Sequence, residues 1–144
     1  MPEFNPNRIL HGNGGAAWFN GEKLTTLQSV EAKVTADFEE INVCGSTATY
    51  QVYNGYAGEG TLTWLKTDSR VLEALATAYQ SGEMPTLTII TAHQQAGTNK
   101  VERIAYNDVT VNEFMLAKFE KKAKTEEELP FKFGEFQVLE TIGG

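Results

Sequence analysis

One stretch of the sequence alternates strictly between apolar and polar residues, and this pattern constrains the fold most. Val30, Ala32, Val34, Ala36 and Phe38 alternate with Glu31, Lys33, Thr35, Asp37 and Glu39. Because successive side chains of a β-strand point to opposite faces, a period of two predicts a long strand with one buried and one water-facing side. The chain is therefore expected to be mainly β.

Short strands on either side support this expectation. Asn20-Gly21 tolerates the positive φ angles of a type I′ turn, so it predicts a hairpin between strands over residues 16–19 and 22–24. A second long strand is expected over residues 58–66, where Leu62 and Trp64 share one face.

A single helix is predicted after that strand, over residues 69–81. Asp68 or Ser69 provides an N-cap, and Gly82 stands where a left-handed C-terminal cap is expected. The apolar residues that repeat at helical spacing are Val71, Leu72, Leu75, Ala76 and Tyr79.

The remaining sequence predicts more strands. Residues 86–91 and 100–111 are expected to pair, and residues 113–124 to form a further strand. The acidic run at residues 126–128 is interpreted as a solvated loop, and Gly134 as a β-bulge between two aromatic phases. The total is roughly six or seven strands and one helix.

Two segments lack a regular pattern. Residues 40–56 are interrupted by Gly45 and Asn54-Gly55, and a connection of this length is usually functional or disordered. Residues 1–15 are rich in Asn, Gly and Pro and are expected to form an N-terminal arm. Residues 16–144 would then be a single domain.

Composition and charge exclude several classes of protein. With 19 acidic and 12 basic residues, the formal net charge is −7, which disfavours tight binding to nucleic acid. No apolar run approaches the ~20 residues that cross a bilayer, and the N-terminus lacks the apolar stretch of a signal peptide. We therefore expect synthesis in the cytoplasm and no stable membrane anchoring.

No residue pattern points to catalysis, a metal or a cofactor. His11 and His93 lack neighbouring ligands, and Cys44 has no adjacent group that would lower its pKa. Residues 12–15 are glycine-rich but lack the Lys-Ser/Thr ending of a phosphate-binding loop. The expectation is a non-enzymatic protein without cofactors.

Three pieces of sequence, in order, resemble a known family. They are Trp18-Phe19-Asn20-Gly21-Glu22-Lys23-Leu24 with Val30 to Val34, then Gly55-Tyr56-Ala57-Gly58-Glu59-Gly60-Thr61-Leu62-Thr63, then Glu127-Glu128-Leu129-Pro130-Phe131-Lys132-Phe133-Gly134-Glu135-Phe136. The chain resembles tail tube proteins of contractile phage tails, namely PBSX-type prophages and R-type (diffocin-like) bacteriocins. The resemblance does not separate intact phages from bacteriocins or defective prophages.

The resemblance implies a fold and an assembly. The fold would be two packed antiparallel sheets, a sandwich or distorted barrel, with one flanking helix. Relatives form hexameric rings that stack into a hollow tube inside a contractile sheath, and contraction drives the tube through a target envelope. The implied partners are other copies of the chain, the sheath, the baseplate and the tape measure protein. DNA would be only transient cargo in the bore.

The assembly suggests a role for three sets of residues. A water-facing strand side can line the bore (Glu31, Lys33, Thr35, Asp37 and Glu39), or it can simply face solvent. The apolar residues of the 40–56 loop can contact the next ring (Ile41, Val43, Tyr50, Val52 and Tyr53), or pack on their own domain. The outer side of the helix can face the sheath (Arg70, Glu73, Thr77 and Gln80), or remain solvated.

Two rival functions remain open at this point. A small-molecule-binding β-barrel would use the aromatic residues as pocket lining, although a core role explains them more simply. A tube protein of a type VI secretion system would share the assembly. The aromatic residues concerned are Trp18, Trp64, Phe114, Phe119, Phe131 and Phe133.

Overall fold

The computed structural model describes residues 6, 9–10, 12–83 and 86–143. Most of the predicted N-terminal arm lies outside the described residues. The described elements are a 3-10 turn (Gly12–Gly14), β1 (Gly15–Phe19), β2 (Glu22–Lys23), β3 (Leu27–Asn42), β4 (Thr49–Leu65), α1 (Arg70–Ser81), β5 (Leu87–Gln94), β6 (Val101–Val109), β7 (Glu126–Phe133) and β8 (Phe136–Glu140).

The strands form two antiparallel sheets. The larger sheet has the order β2-β1-β5-β6-β8, and the smaller has the order β3-β4-β7. All strand pairs within them are antiparallel. The prediction of a mainly β protein with two antiparallel sheets and one helix is confirmed, and the sheets do not close into a barrel.

The predicted Asn-Gly hairpin is present. Asn20 and Gly21 have φ angles of 49° and 85°, and β1 pairs with β2 through Trp18 opposite Lys23 and Phe19 opposite Glu22. The Asn20 side chain has a second role, because its Oδ1 accepts a hydrogen bond of 2.9 Å from the backbone N–H of Thr88. The turn is therefore joined to the start of β5 as well as to β2.

The helix is also close to its predicted position. It begins at Arg70 and ends at Ser81, and Gly82 follows in the left-handed conformation with φ 77°. The Ser69 side chain makes no capping bond, whereas Asp68 Oδ1 accepts the Arg70 N–H at 3.2 Å. Leu75 and Ala78 bury the inner side of the helix in the core.

The core lies between the two sheets and under α1. Its largest fully buried side chains are Leu62, Leu75, Leu87, Ile89 and Leu129. Aromatic rings fill one part of it: Tyr106 lies 4.8 Å from Phe133 and 6.1 Å from Phe131, centroid to centroid. Trp64, Phe131 and Phe133 are buried in this cluster, as a core role for the aromatic residues requires.

Two predictions about the region before β7 are wrong. Residues 111–125 contain no helix or strand: Val111 is buried in the core, whereas Met115, Leu116 and Phe119 are exposed. The acidic run is not a solvated loop but the start of β7. Glu127 is buried opposite Trp64, and its carboxylate forms an ion pair of 3.1 Å with Lys66.

The predicted bulge at Gly134 is a crossing between sheets. β7 ends at Phe133 in the smaller sheet, and β8 begins at Phe136 in the larger one. The spacing of the phenylalanines changes at Gly134 because Phe131 and Phe133 belong to a strand of one sheet and Phe136 to a strand of the other. A Cβ at Gly134 would lie 3.3 Å from the Asp108 side chain, so the crossing is closely packed.

The predicted loop over residues 40–56 is wrong as secondary structure. β3 continues to Asn42 and β4 starts at Thr49, so the segment forms the outer part of one long hairpin. Its glycines do not end the strands. Gly45 has φ 86° in the turn at the tip, and Gly55, with φ 143°, lies at a register shift where Asn54 bulges out of β4.

A projecting hairpin as the candidate assembly site

The hairpin of β3 and β4 has two parts with different surroundings. We call residues 27–32 and 58–65 the proximal hairpin, and residues 33–57 the distal hairpin. β7 pairs with β4 only from Gly58 to Leu65, so it covers the proximal hairpin alone. Every side of the distal hairpin is exposed except at Gly55. A two-stranded ribbon exposed on both faces is marginally stable alone.

The root of the hairpin is held by glycines and phenylalanines that face one another. Gly58 lies opposite Phe133 and Gly60 opposite Phe131 in the β4–β7 register. A Cβ at Gly58 would lie 2.2 Å from the Phe133 ring, and one at Gly60 would lie 2.6 Å from both the Phe131 ring and the Glu31 carbonyl oxygen. The glycine-rich and phenylalanine-rich stretches of the sequence are therefore two halves of one packing arrangement.

One face of the distal hairpin continues the core-facing side of β3. Val34 and Phe38 belong to the apolar alternation but are 44% and 52% exposed. The expectation of a buried side therefore fails beyond Ala32, although this side contacts the larger sheet at one point. Phe38 instead contacts Tyr53 edge to face at 5.6 Å, and Tyr56 contacts Phe136 at 5.6 Å.

The bulge at Asn54 makes the opposite face of the tip apolar as well. It shifts β4 by one residue relative to β3, so Val52 lies opposite Glu39 and Tyr50 opposite Ile41. A one-residue shift moves side chains to the other face of a strand. Both faces of the tip therefore present large apolar side chains to solvent.

Hydrogen bonds order the turn at the tip. The Ser46 N–H donates to the Val43 carbonyl at 3.1 Å, and the Ser46 hydroxyl lies 3.3 Å from the Tyr50 hydroxyl. Thr49 Oγ1 donates to Asn42 Oδ1 at 3.2 Å. The turn also carries Cys44, which is exposed.

The structure brings together all the residues proposed for the ring contact. Ile41, Val43, Tyr50, Val52 and Tyr53 are exposed and lie on the distal hairpin. Sequence reasoning missed Val34, Phe38 and Tyr56, which lie on the same ribbon. The alternation itself placed Val34 and Phe38 on a buried side, and nothing in the pattern shows where the covering sheet ends.

The residues proposed for the bore share one exposed face of the smaller sheet. Lys33 forms a cross-strand ion pair of 3.4 Å with Glu59, and both side chains are exposed, so the pair contributes little to stability. The strand registers add residues that sequence reasoning did not include. The charged residues on this face are Glu31, Lys33, Asp37, Glu39, Glu59, Glu126, Glu128 and Lys132. Acidic residues predominate, so the face has a negative potential.

The helix residues proposed for the sheath contact are all exposed. Arg70 forms ion pairs with Glu22 at 3.4 Å and with Asp68 at 2.9 Å, which joins the helix to the β1–β2 hairpin. Its hydrogen bond to Asp68 holds the pKa of that carboxyl below its ordinary value. Glu73 and Thr77 line a groove between the helix and Asn20, whereas Gln80 does not.

The described part of the chain was also compared with the requirements of a metal site, a membrane span and an enclosed aromatic pocket, and it meets none of them. No three His, Cys, Asp or Glu side chains among the described residues are grouped to hold a metal ion. His93 lies at a half-buried position of β5, and His11 lies outside the described residues. No described helix is long and apolar enough to span a bilayer. Phe119 is 85% exposed, so it lines no enclosed pocket.

Solved structures with the same architecture define the class of fold. The chain matches the tube-terminating cap of the anti-feeding prophage with a TM-score of 0.77 at 10% identity, over 98% of this chain and 95% of that one. It matches a chain of the sheath-tube complex of PVC, an extracellular contractile injection system, with a TM-score of 0.73 at 10% identity, over 95% and 100%. The fold is that of tail tube proteins.

Sequence comparison adds the family. The model of the family described as phage tail tube protein matches residues 3–140, so the chain belongs to that family. It is also similar to the phage-like element PBSX protein XkdM of Bacillus subtilis (strain 168), with 28% identity over 136 residues, 92% of each chain. The resemblance to PBSX-type tail tube proteins is confirmed.

Proposed function

We propose that this chain is the structural subunit of the inner tail tube of a contractile phage tail or a tail-like bacteriocin. Its copies would form hexameric rings that stack into a hollow conduit, which sheath contraction drives through the target envelope. The observation that carries the proposal is the distal hairpin, which projects from a packed domain and exposes apolar side chains on both faces. Exposed apolar surface of this kind marks an interaction site.

The distal hairpin is the proposed contact between rings. A stable interface between subunits buries more than ~1,000 Å². The tip offers large side chains on both faces, with Phe38 and Tyr53 on one side and Ile41, Tyr50 and Val52 on the other. Aromatic residues of this type supply most of the energy of interface cores. Stacking would cover surface that the subunit alone leaves in water.

The acidic face of the smaller sheet is the proposed lining of the bore. The free edge of β3 gives the sheet a route to join a neighbour's sheet within the ring, which would close a continuous barrel. Glu31, Lys33, Thr35, Asp37 and Glu39 would then face the channel. A lining with excess negative charge would repel DNA phosphates, so DNA would pass as transient cargo without binding.

The helix is the proposed side toward the sheath. Glu73 and Thr77 border a groove beside the β1–β2 turn, which gives a partner a concave surface. Because the charge of Arg70 is already shared with Glu22 and Asp68, this residue would position the groove more than contact the sheath. Baseplate and tape measure proteins would contact the tube at its ends or in its bore.

The similarity to a PBSX protein favours a phage-derived tail over a secretion-system tube. We infer a structural, non-enzymatic subunit that is made in the bacterial cytoplasm and leaves the cell in the released particle. Residues 1–15 would form an arm beside the single domain of residues 16–144.

Negative-stain microscopy of the purified protein at rising concentration tests the proposal, with sedimentation on the same samples and with baseplate seeds added in a second series. The wild type is expected to form rings or hollow tubes. A Phe38→Ser/Tyr53→Ser variant should stay monomeric, and a Phe38→Leu/Tyr53→Phe variant provides the matched control. A wild type that remains monomeric even with seeds would contradict the proposal.

A further inference from the structure

Residues 115–124, which we call the basic segment, have a charge opposite to that of the chain as a whole. The segment contains Lys118, Lys121, Lys122 and Lys124 against Glu120 alone, in a chain of net charge −7. None of these lysines forms an ion pair with a described residue. Their charges are therefore free to pair with another molecule.

The basic segment also exposes large apolar side chains. Leu116 and Phe119 are 68% and 85% exposed. The segment has no helix or strand, yet both of its ends are fixed. Phe114 stacks on Tyr79 at 5.1 Å just before it, and Thr125 accepts a hydrogen bond of 2.8 Å from the Lys66 N–H just after it. An apolar centre with a charged border, held at both ends, is the composition of an interface.

The distal hairpin is complementary to this surface. It carries Asp37, Glu39 and Glu40, and no lysine or arginine occurs between Val34 and Leu65. None of these three acids pairs with a described basic residue. The acids lie beside the exposed apolar residues of the tip, as the lysines lie beside Leu116 and Phe119. Each surface therefore has the apolar and charged groups that the other needs.

The two surfaces lie at opposite ends of the smaller sheet. The basic segment leads into Thr125 beside the Leu65 end of β4, whereas the hairpin tip precedes the Thr49 end. The 17 residues of β4 place the two ends on the order of 50 Å apart at about 3.3 Å per residue. The surfaces cannot meet within one subunit, but they can meet between subunits stacked head to tail. Contacts of this type propagate along an axis.

We propose that the basic segment of one copy receives the distal hairpin of a copy in the neighbouring ring. This inference rests on the proposed function, since it names the surface on which the stacking hairpin docks. The exposed side chains of Leu116 and Phe119 contact the apolar tip, and the lysines face Glu40, which lies on the opposite face of β3 from the bore-lining Glu39.

A charge exchange tests the pairing. Lys121→Glu/Lys124→Glu and, separately, Glu40→Lys should each raise the concentration at which tubes sediment by at least about tenfold, because like charges then face each other. Combining the three substitutions should restore assembly to within about threefold of the wild type. Lys100→Glu, in the β5–β6 loop, is the matched control and should have little effect. The thermal midpoint of each monomer checks its folding.

The outcomes separate the inference from the proposed function. Absence of tubes from the wild type would overturn both. If the wild type forms tubes, two results would overturn the inference alone. The first is undiminished assembly of the Lys→Glu variant, and the second is a failure of the combined variant to restore assembly. Tubes of the Lys→Glu variant that form normally but fail to bind the sheath would also overturn the inference. They would show that the basic segment contacts the sheath and not the neighbouring ring.

Cys44 provides an independent measurement of position, because it is the sole cysteine and lies at the hairpin tip. Tubes of an Ala123→Cys variant, treated with a short bismaleimide, should give a ladder of covalent multimers. The Cys44→Ser/Ala123→Cys variant should lose the ladder. Tubes that yield no multimer, or a ladder that persists without Cys44, would overturn the inference.

Discussion

The proximal and distal parts of the β3–β4 hairpin are one continuous pair of strands with opposite surroundings. In the proximal part, Leu62 and Trp64 are buried against the larger sheet and β7 lies alongside. In the distal part, residues of the same types, such as Val34 and Phe38, face water. Strand pairing alone therefore does not make this hairpin a domain core. The packed part stabilises the subunit, and the projecting part is available to other subunits.

The largest expected effect on the free subunit comes from the proximal part. Leu62→Ala should lower the free energy of unfolding by about 2–5 kcal/mol, because a fully buried side chain leaves a cavity. Urea unfolding of the monomer measures it. Val52→Ala, at an exposed distal position, is the control and should change the free energy by less than about 0.5 kcal/mol. Equal losses of unfolding free energy in both variants would show that the proximal and distal parts do not differ in their contribution to stability.

The next effect concerns the glycine–phenylalanine packing at the root. Gly60→Ala should cost about 1–3 kcal/mol, because its Cβ would meet the Phe131 ring and the Glu31 carbonyl. Thr61→Ala, the next residue on the other face, is the control for unfolding by heat or urea. A stability of Gly60→Ala equal to that of the wild type would show that the rings relax and that the root is loosely packed.

A distal substitution should separate folding from assembly. Tyr53→Ala removes an exposed ring that contacts Phe38 at 5.6 Å, so the free subunit should lose less than about 1 kcal/mol. Its critical concentration for tube formation should nevertheless rise at least about tenfold, which corresponds to ~1.4 kcal/mol. Tyr53→Phe keeps the ring and should assemble normally. A large loss of monomer stability with normal assembly would reverse the assignment of the two parts.

The smallest effect is expected at the ion pairs of α1. The pKa of Asp68 lies below its ordinary value of 3.8 because Arg70 donates hydrogen bonds to its carboxylate. The pair therefore stabilises the folded state above pH 3.8, and this stabilisation is lost as the pH falls through the folded-state pKa. Asp68→Asn should lower the thermal midpoint slightly at pH 7 and not at strongly acidic pH. A difference that persists in acid would show that the ion pair is not its cause.

Patterns that depend on neighbouring residues in the chain predicted the structure well. Asn20, Gly21 and Gly82 have positive φ angles, which few other residues adopt easily. These residues therefore mark the hairpin turn and the position directly after the helix. The prediction of a loop over residues 40–56 was wrong because of the bulge at Asn54. The bulge changes the face to which alternate side chains of β4 point, so the strand shows no continuous alternation in the sequence. Glu127 was missed because its partner, Lys66, lies far away in the sequence, directly after the end of β4.

Only part of the candidate assembly site could be predicted from the sequence. The apolar content of residues 40–56 predicted Ile41, Tyr50 and Tyr53 as contact residues, and the structure exposes all three on the distal hairpin, although their place on a strand was not predicted. Phe38 was assigned to the core, because alternation cannot show that the covering sheet ends near Ala32. The basic segment was interpreted as a strand, since its apolar residues suggested burial that the tertiary structure does not provide.

Hydrogen–deuterium exchange of the free subunit and of assembled tubes tests whether the distal hairpin becomes protected only on assembly. In the free subunit we expect amides of the distal hairpin to exchange much faster than those of β5 and β6. On assembly, exchange of the distal amides should slow by at least about tenfold. The assignment of the distal hairpin as an assembly contact would be contradicted if its amides were already as protected as those of β5 in the free subunit. It would also be contradicted if their exchange did not change on assembly.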